Sequence, residues 1–225
     1  MERKVVYWVV AAMNVSMLIP QRLRDPARRV YFRARNILLR GKSRPTSPAE
    51  TSKARERREQ ENFFSAFCTG RGLDIGYGGD PITPDCDVWD TEHGNAEILS
   101  GIPDGIYNFV YSSHTLEHLP NPTTALTNWW RVLKVGGFLI LYVPHRNYYE
   151  KKGELPSRWN PDHKFFLLPE KDDPPDTLGL KQLIKQSLQD FDVIYLKECT
   201  EGLTIVDPAI HSDGEYSIEA VIQKK

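Results

Sequence analysis

The chain alternates between short apolar runs and longer mixed segments from residue 70 onward. The runs are "GLDIG" (72–76), "CDVWD" (86–90), "YNFVYSS" (107–113), "GFLILYVP" (137–144), "FDVIYLKEC" (191–199) and "EYSIEAVIQ" (215–223). Each is short, β-branched or aromatic and bounded by turn residues, so each is predicted to be a strand. A helix is expected over 121–137, "NPTTALTNWWRVLKVGG", with Pro122 early and Gly136-Gly137 closing it. A second is expected over 174–191, where Leu180, Leu183, Ile184 and Leu188 recur at helical spacing. Upstream, Ser47, Pro48 and Glu50 have the order of a capping box, and the charged run "TSKARERREQENFFSAF" continues it as a helix with a solvated charged face. Strands alternating with helices and then two final strands predict an α/β domain with a doubly wound, mostly parallel sheet and an antiparallel end. In such sheets a ligand sits beyond the carboxyl ends of the central strands.

The first two runs stand close together. "GGDPITPD" between them holds two prolines and begins with paired glycines, so it is unsuited to a crossover helix. Residues 91–106 leave room for one short element. The first crossovers are therefore expected to be abbreviated to loops. The glycines themselves allow a backbone to approach a ligand closely. A dinucleotide loop needs G-x-G-x-x-G opening a helix; here Gly76-Tyr77-Gly78-Gly79 runs into Asp80-Pro81, and Asp80 would repel a phosphate. The loop argues against a dinucleotide and for a ligand with a compact charged end.

Charge divides the 225 residues unevenly: 1–43 carry ten Lys/Arg against two acids, and the remainder nineteen against twenty-eight. The apolar stretch 5–20 would reach about 24 Å as a helix, short of the roughly 30 Å hydrocarbon core. The arginine-rich 21–42 alternates with bulky apolar residues, a pattern suited to lying on an anionic membrane face, though packing on the domain or on a partner fits it too. The expected organisation is a basic amphipathic helical extension over 1–43, a linker at 43–50, and the α/β domain over 44–225 with an irregular insert, expected on the ligand side, at about 144–173. The acidic balance of that domain disfavours nucleic acid as partner. Three separated cysteines suggest neither a disulfide framework nor a zinc site, and fit a cytoplasmic protein, with the inner membrane face as the expected location of its basic end.

"LDIGYGG", "IPDGIYNFVYSSHTLEHLPNP" and "RVLKVGGFLILYVP" together resemble class I S-adenosylmethionine-dependent methyltransferases, especially the type 11 group, over about residues 60–150. The resemblance implies a Rossmann-like sheet and S-adenosylmethionine as cofactor. It implies that Asp74, Gly76, Tyr77 and Gly78 hold the methionine end, and that Asp90 meets the ribose hydroxyls. Asn95 and Ala96 would frame the adenine, with Asn95 standing where many relatives have Asp. Ser112 and Ser113 would lie over the sulfonium. His118, in "LEHL", is read as a structural helix-start histidine, and Glu117 as ambiguous.

Methyl transfer is an in-line displacement driven by positioning and desolvation, and no metal is expected. Candidate bases for the acceptor proton are His114, His145 and His163, the latter two in the irregular insert 144–170. "SSHT" follows the third of the six runs in place of an Asn-Pro-Pro-Tyr-like motif, which speaks against adenine or glutamine amide methylation. The resemblance is nearest to bacterial enzymes encoded with glycan-assembly genes. Combined with the basic N-terminus, it favours O-methylation of a sugar or lipid-linked glycan or another small molecule. A methyltransferase for a soluble metabolite and a non-catalytic scaffold that kept the fold both stay open.

Overall fold

The computed structural model describes residues 50–225, so the expected extension over 1–43, its membrane contact and the cap at Ser47 and Pro48 lie outside the described residues. Three short helices open the described part: α1 (Glu50–Lys53), α2 (Arg55–Gln60) and α3 (Phe63–Phe67). Strands β1 (Gly72–Ile75), β2 (Asp87–Trp89) and β3 (Tyr107–Ser113) follow, then α4 (Pro122–Arg131) and β4 (Leu133–Pro144). A small parallel pair, β5 (Phe166–Leu168) and β6 (Thr177–Gly179), precedes α5 (Leu180–Ser187). The chain closes with β7 (Phe191–Cys199) and β8 (Ser217–Lys224). The main sheet has the order β2-β1-β3-β4-β8-β7. Its first four strands are parallel, and β8 runs antiparallel to both β4 and β7.

All six expected strands are present, and the crossovers beside β1 and β2 are abbreviated as the sequence predicts. Residues 76–86 connect two parallel strands without a helix, and 91–106 hold one 3-10 turn, Thr91–His93. The helix expected over 121–137 stops earlier, at Arg131. The carbonyl of Val132 accepts from the amides of Ile106 and Tyr107, and Leu133 pairs with Tyr107, so sheet pairing claims the segment. The helix expected over 174–191 is likewise shortened, because Thr177–Gly179 pairs with β5.

The strands send alternate residues to opposite faces. Leu139, Leu141, Ile218, Ala220 and Ile222 join one apolar cluster with Leu126 and Trp129 of α4 and Leu183 and Ile184 of α5. Ile140, Tyr142 and Val221 point the other way, where Ala54, Phe63, Ile82 and Val88 cover them. On this second face α1–α3 occupy the place that a first crossover helix would otherwise fill.

That covering corrects the expectation of a merely solvated charge run. Arg58 is fully buried, donating from Nε to Glu219 Oε2 at 2.7 Å and from Nη1 to the Tyr111 hydroxyl at 3.0 Å, with its guanidinium 4.7 Å from the Tyr142 ring centre. Arg57 reaches Glu215 at 2.8 Å and Glu219 at 3.0 Å. Burial alone would raise the Glu219 carboxyl, but the two guanidiniums hold it below its ordinary value. Breaking such a pair from one side leaves a buried uncompensated charge. Glu219→Gln is therefore expected to cost about 3–5 kcal/mol in urea unfolding, whereas a surface ion pair would cost about 1 kcal/mol or less.

Candidate active site

β1, β2 and β3 end side by side, and a cleft of about 580 Å³ opens beyond their carboxyl ends. Gly76 follows β1, Asp90 follows β2 and His114 follows β3, and all three line it together with Gly78, Asn95 and Ala96. Thr115, His118, Glu97 and Asp162 complete its polar wall.

The glycine loop is shaped by backbone demands. Gly76 has φ +73°, and a Cβ there would lie 1.9 Å from Thr115 Oγ1, so the position admits only glycine. Its amide donates to the Trp89 carbonyl at 2.7 Å, tying the end of β1 to that of β2. Gly78, at φ +56°, has open space where its Cβ would stand. Its amide donates to Asp90 Oδ2 at 3.1 Å, while Asp90 Oδ1 accepts from the Thr91 amide at 2.8 Å. The side chain also accepts from the His93 amide in a capping box, and its remaining acceptor capacity lies at the rim of the cleft. Asn95 Oδ1 is engaged within its own turn by the Glu97 amide, at 2.7 Å.

Asp74 is placed differently from its neighbours. Leu73 and Ile75 face one side of the sheet, and Asp74 therefore faces the other, fully buried, with Oδ2 accepting from the Ile82 amide at 2.7 Å. It holds the 76–82 loop from behind the cleft wall. Burial, opposed by that hydrogen bond, pushes its carboxyl up to about 8. Tyr77 turns into the same apolar cluster as Ile82 and Val88. Ser112 is buried and donates to the Ile75 carbonyl at 3.1 Å, bracing the strand ends, and Ser113 is buried beside it; neither lines the cleft. Asp80, expected to repel phosphate, accepts from the Ser52 amide at 2.9 Å and fastens the loop to α1.

The three candidate bases separate. His114 lines the cleft in a left-handed conformation, φ +46°, a strained geometry for a residue with a side chain. Its Nε2 lies 2.8 Å from Ser217 Oγ, and burial lowers its pKa to about 4, leaving it neutral at physiological pH. His163 is buried behind the wall against Tyr149, with Nδ1 2.5 Å from Glu150 Oε1. His145 points elsewhere: Nδ1 accepts from the Asn147 amide at 3.1 Å, Nε2 faces Glu198 at 3.3 Å, and the ring stacks on Tyr148. It caps the turn Arg146–Glu150 and is not on the cleft wall.

His118, read from sequence as structural, is on the wall, with Nδ1 3.1 Å from Asp162 Oδ2. Glu117 beside it is fully buried, and neither of its carboxylate oxygens has a hydrogen-bond partner among the described residues. Burial pushes its carboxyl up to about 8. Thr115 and Asp162 are further wall residues that the sequence reading passed over; the signal for the first was its position directly after "SSH".

Residues 47–141 match the family model described as a methyltransferase domain, of the type 11 group. Residues 47–141 are thus a methyltransferase domain. The cofactor of the methyltransferase is S-adenosylmethionine. Among solved structures, a protein from work on the conversion of a disulfide bond into a thioacetal group during echinomycin biosynthesis is 13% identical with a TM-score of 0.50, covering 76% of this chain and 82% of the other. A possible histamine N-methyltransferase from Thermotoga maritima is 20% identical over 78% of this chain and 99% of its own, with a TM-score of 0.46. A SAM-dependent methyltransferase from Archaeoglobus fulgidus is 18% identical over 78% and 94%, also at 0.46. Comparison with curated proteins gives no match. Among the described residues of the methyltransferase, no helix is long and apolar enough to cross a membrane.

The raised Asp74 carboxyl gives the methyltransferase a pH signature. Its folded pKa of about 8 lies above the ordinary value of 3.8, so the folded state holds the proton more tightly. The stability this contributes is complete below pH 4 and is lost as pH rises through about 8. Asp74→Asn, which keeps an acceptor for the Ile82 amide, is expected to flatten the fall of the thermal midpoint between pH 5 and 8. An unchanged slope would contradict this placement of the proton.

Proposed function

We propose that the enzyme transfers the methyl group to a hydroxyl of a small polar acceptor, a sugar or lipid-linked glycan. The observation that carries this reading is that Asp90, a carboxylate at the cleft rim, shares one cleft with the neutral imidazole of His114. In this reading Gly76 and Gly78 give the methionine end of the cofactor a backbone surface free of side chains, and Asp90 takes the ribose hydroxyls. Asn95 and Ala96 frame the adenine. Asp74, Tyr77, Ser112 and Ser113 act from behind, holding the loop and strand ends that carry these contacts.

An acceptor oxygen attacks the methyl carbon, the carbon–sulfur bond breaks toward sulfur, and S-adenosylhomocysteine leaves. The acceptor proton passes to His114, which is unprotonated at physiological pH; burial makes it a weak base, and Glu50, 3.9 Å from its Nε2, offsets this by favouring the imidazolium that forms. Asp162 and His118 offer the wall hydrogen-bonding groups suited to a hydroxyl-rich ligand. The basic segment 1–43 supports an acceptor attached to an anionic carrier at a membrane face.

The test is incubation of the full chain and methyl-labelled cofactor with cell-envelope extracts and with soluble metabolites. Alkali-stable label in the glycan or lipid-linked fraction is expected, and label confined to amines would overturn the reading. His114→Asn, which tolerates the left-handed backbone, is expected to slow transfer by about 10²–10⁴-fold while leaving S-adenosylhomocysteine affinity unchanged.

A further inference from the structure

Behind the cleft wall, three side chains that can each act as a metal ligand converge on one point, and His114 Nδ1 stands 3.9 Å from the same Glu117 oxygen. The buried Glu117 Oε1 lies 3.8 Å from His118 Nε2 and 3.9 Å from His163 Nε2. All three ligand-capable atoms fall within 4.8 Å of one another. The opposite nitrogen of each imidazole is held by a carboxylate: His118 Nδ1 by Asp162 at 3.1 Å, and His163 Nδ1 by Glu150 at 2.5 Å. A carboxylate accepts from the Nδ1 it faces, so both Nδ1 atoms carry hydrogen, and in the neutral imidazoles both Nε2 lone pairs point inward. Glu150 is fixed in turn by the Ser157 hydroxyl, at 2.6 Å. The carboxylate–histidine pairing is the arrangement that orients imidazoles as metal ligands. Glu117 supplies an independent sign, since both its oxygens are buried without a partner among the described residues.

We propose that Glu117, His118 and His163 form a binding site for a divalent transition-metal ion of the zinc type. Two imidazoles and a carboxylate suit zinc, whereas magnesium and calcium favour oxygen ligands throughout. Tetrahedral ligation at ordinary zinc bond lengths separates ligand atoms by about 3.4 Å, so the two Glu117–imidazole separations close by about half an ångström on binding, and the two imidazole nitrogens, within 4.8 Å of each other, close by up to about 1.4 Å. His118 also lines the cleft, whereas Glu117 and His163 are buried behind it, so an ion held by the three would reach the cleft only on the His118 side. Resting on the hydroxyl-methylation reading above, the ion takes the acceptor oxygen as its fourth ligand and lowers the pKa of that hydroxyl. The O–H bond then breaks with the proton going to His114. The oxygen pair attacks the methyl carbon, and the carbon–sulfur pair leaves with sulfur.

The test uses the full chain without an affinity tag, stripped with a chelator. It is titrated with Zn²⁺ by calorimetry and with Co²⁺ by visible absorption. One equivalent of each is expected, with the cobalt bands of a low-symmetry four-coordinate site. Glu117→Gln and, on the half-exposed wall, His118→Asn are each expected to weaken binding by at least about 100-fold. Glu150→Gln, which removes only the support of His163, is expected to weaken it by about 10–100-fold. S-adenosylhomocysteine binding to each stripped variant reports that it is folded. Absence of a saturable single site, or affinity unchanged in both Glu117→Gln and His118→Asn, would overturn the inference and show that a shared proton satisfies the three acceptors. Zinc binding without S-adenosylhomocysteine binding would instead count against the cofactor placement and leave the metal site standing.

Discussion

The pairing of Arg58 with Glu219 is the contact on which the rest of the domain depends. The loop joining β1 to β2 is too short for a crossover helix, so one face of the sheet is left to be covered by something else. Helices α1–α3 cover it, and they bring a guanidinium into a fully buried position. Only a carboxylate at the matching place on β8 makes that tolerable. The same docking sets Glu50 of α1 against the far end of the sheet, where it accepts from the Tyr216 hydroxyl at 2.5 Å and stands 3.9 Å from His114 Nε2. A substitution made for packing thus reaches the floor of the cleft.

The constraint that shortens the crossover also shapes the site. With no helix after Gly78, no helix N-terminus faces the cleft there, and the loop's position is fixed instead by point contacts. Asp74 holds the Ile82 amide from behind, Asp80 holds the Ser52 amide, and Asp90 takes the Gly78 amide from the front. These carboxylates do by hydrogen bonding what helix packing would otherwise do. Of the three only Asp90 lines the cleft, where with Glu97 and Asp162 it gives an acceptor-rich wall that suits a cationic sulfonium ligand better than a diphosphate.

Much of the fold was legible because strands buried on both faces read as apolar runs and alternate in which cluster they join. The short crossover was legible from Pro81, Pro84 and the paired glycines. The end of α4 was not, because "RVLKV" continues a helical pattern and only the distant Ile106 and Tyr107 amides reveal that the sheet has claimed Val132. The role of Arg57 and Arg58 was hidden for a similar reason, since Glu215 and Glu219 lie about 160 residues further on. In the site, the residues contiguous with a strand end, Gly76, Asp90 and His114, were the readable ones. Glu117 and His118 were not, because the partners that give them chemistry, His163, Asp162 and Glu150, come from the irregular insert after β4. Asp74 ends β1 beside the glycine loop, but strand alternation turns it to the face opposite Leu73 and Ile75 and off the cleft wall.

The central claim is that the cofactor lies beyond the ends of β1, β2 and β3, across Gly78 and Asp90. The most direct measurement is a titration of the ¹⁵N-labelled full chain with S-adenosylhomocysteine, following backbone amide resonances. The account predicts that Gly76, Gly78, Asp90, Asn95 and His114 shift in a saturable manner while the outer strand Phe191–Cys199 stays in place. Saturable shifts confined to the insert or to β7, with the Gly78 and Asp90 amides unmoved, would contradict it.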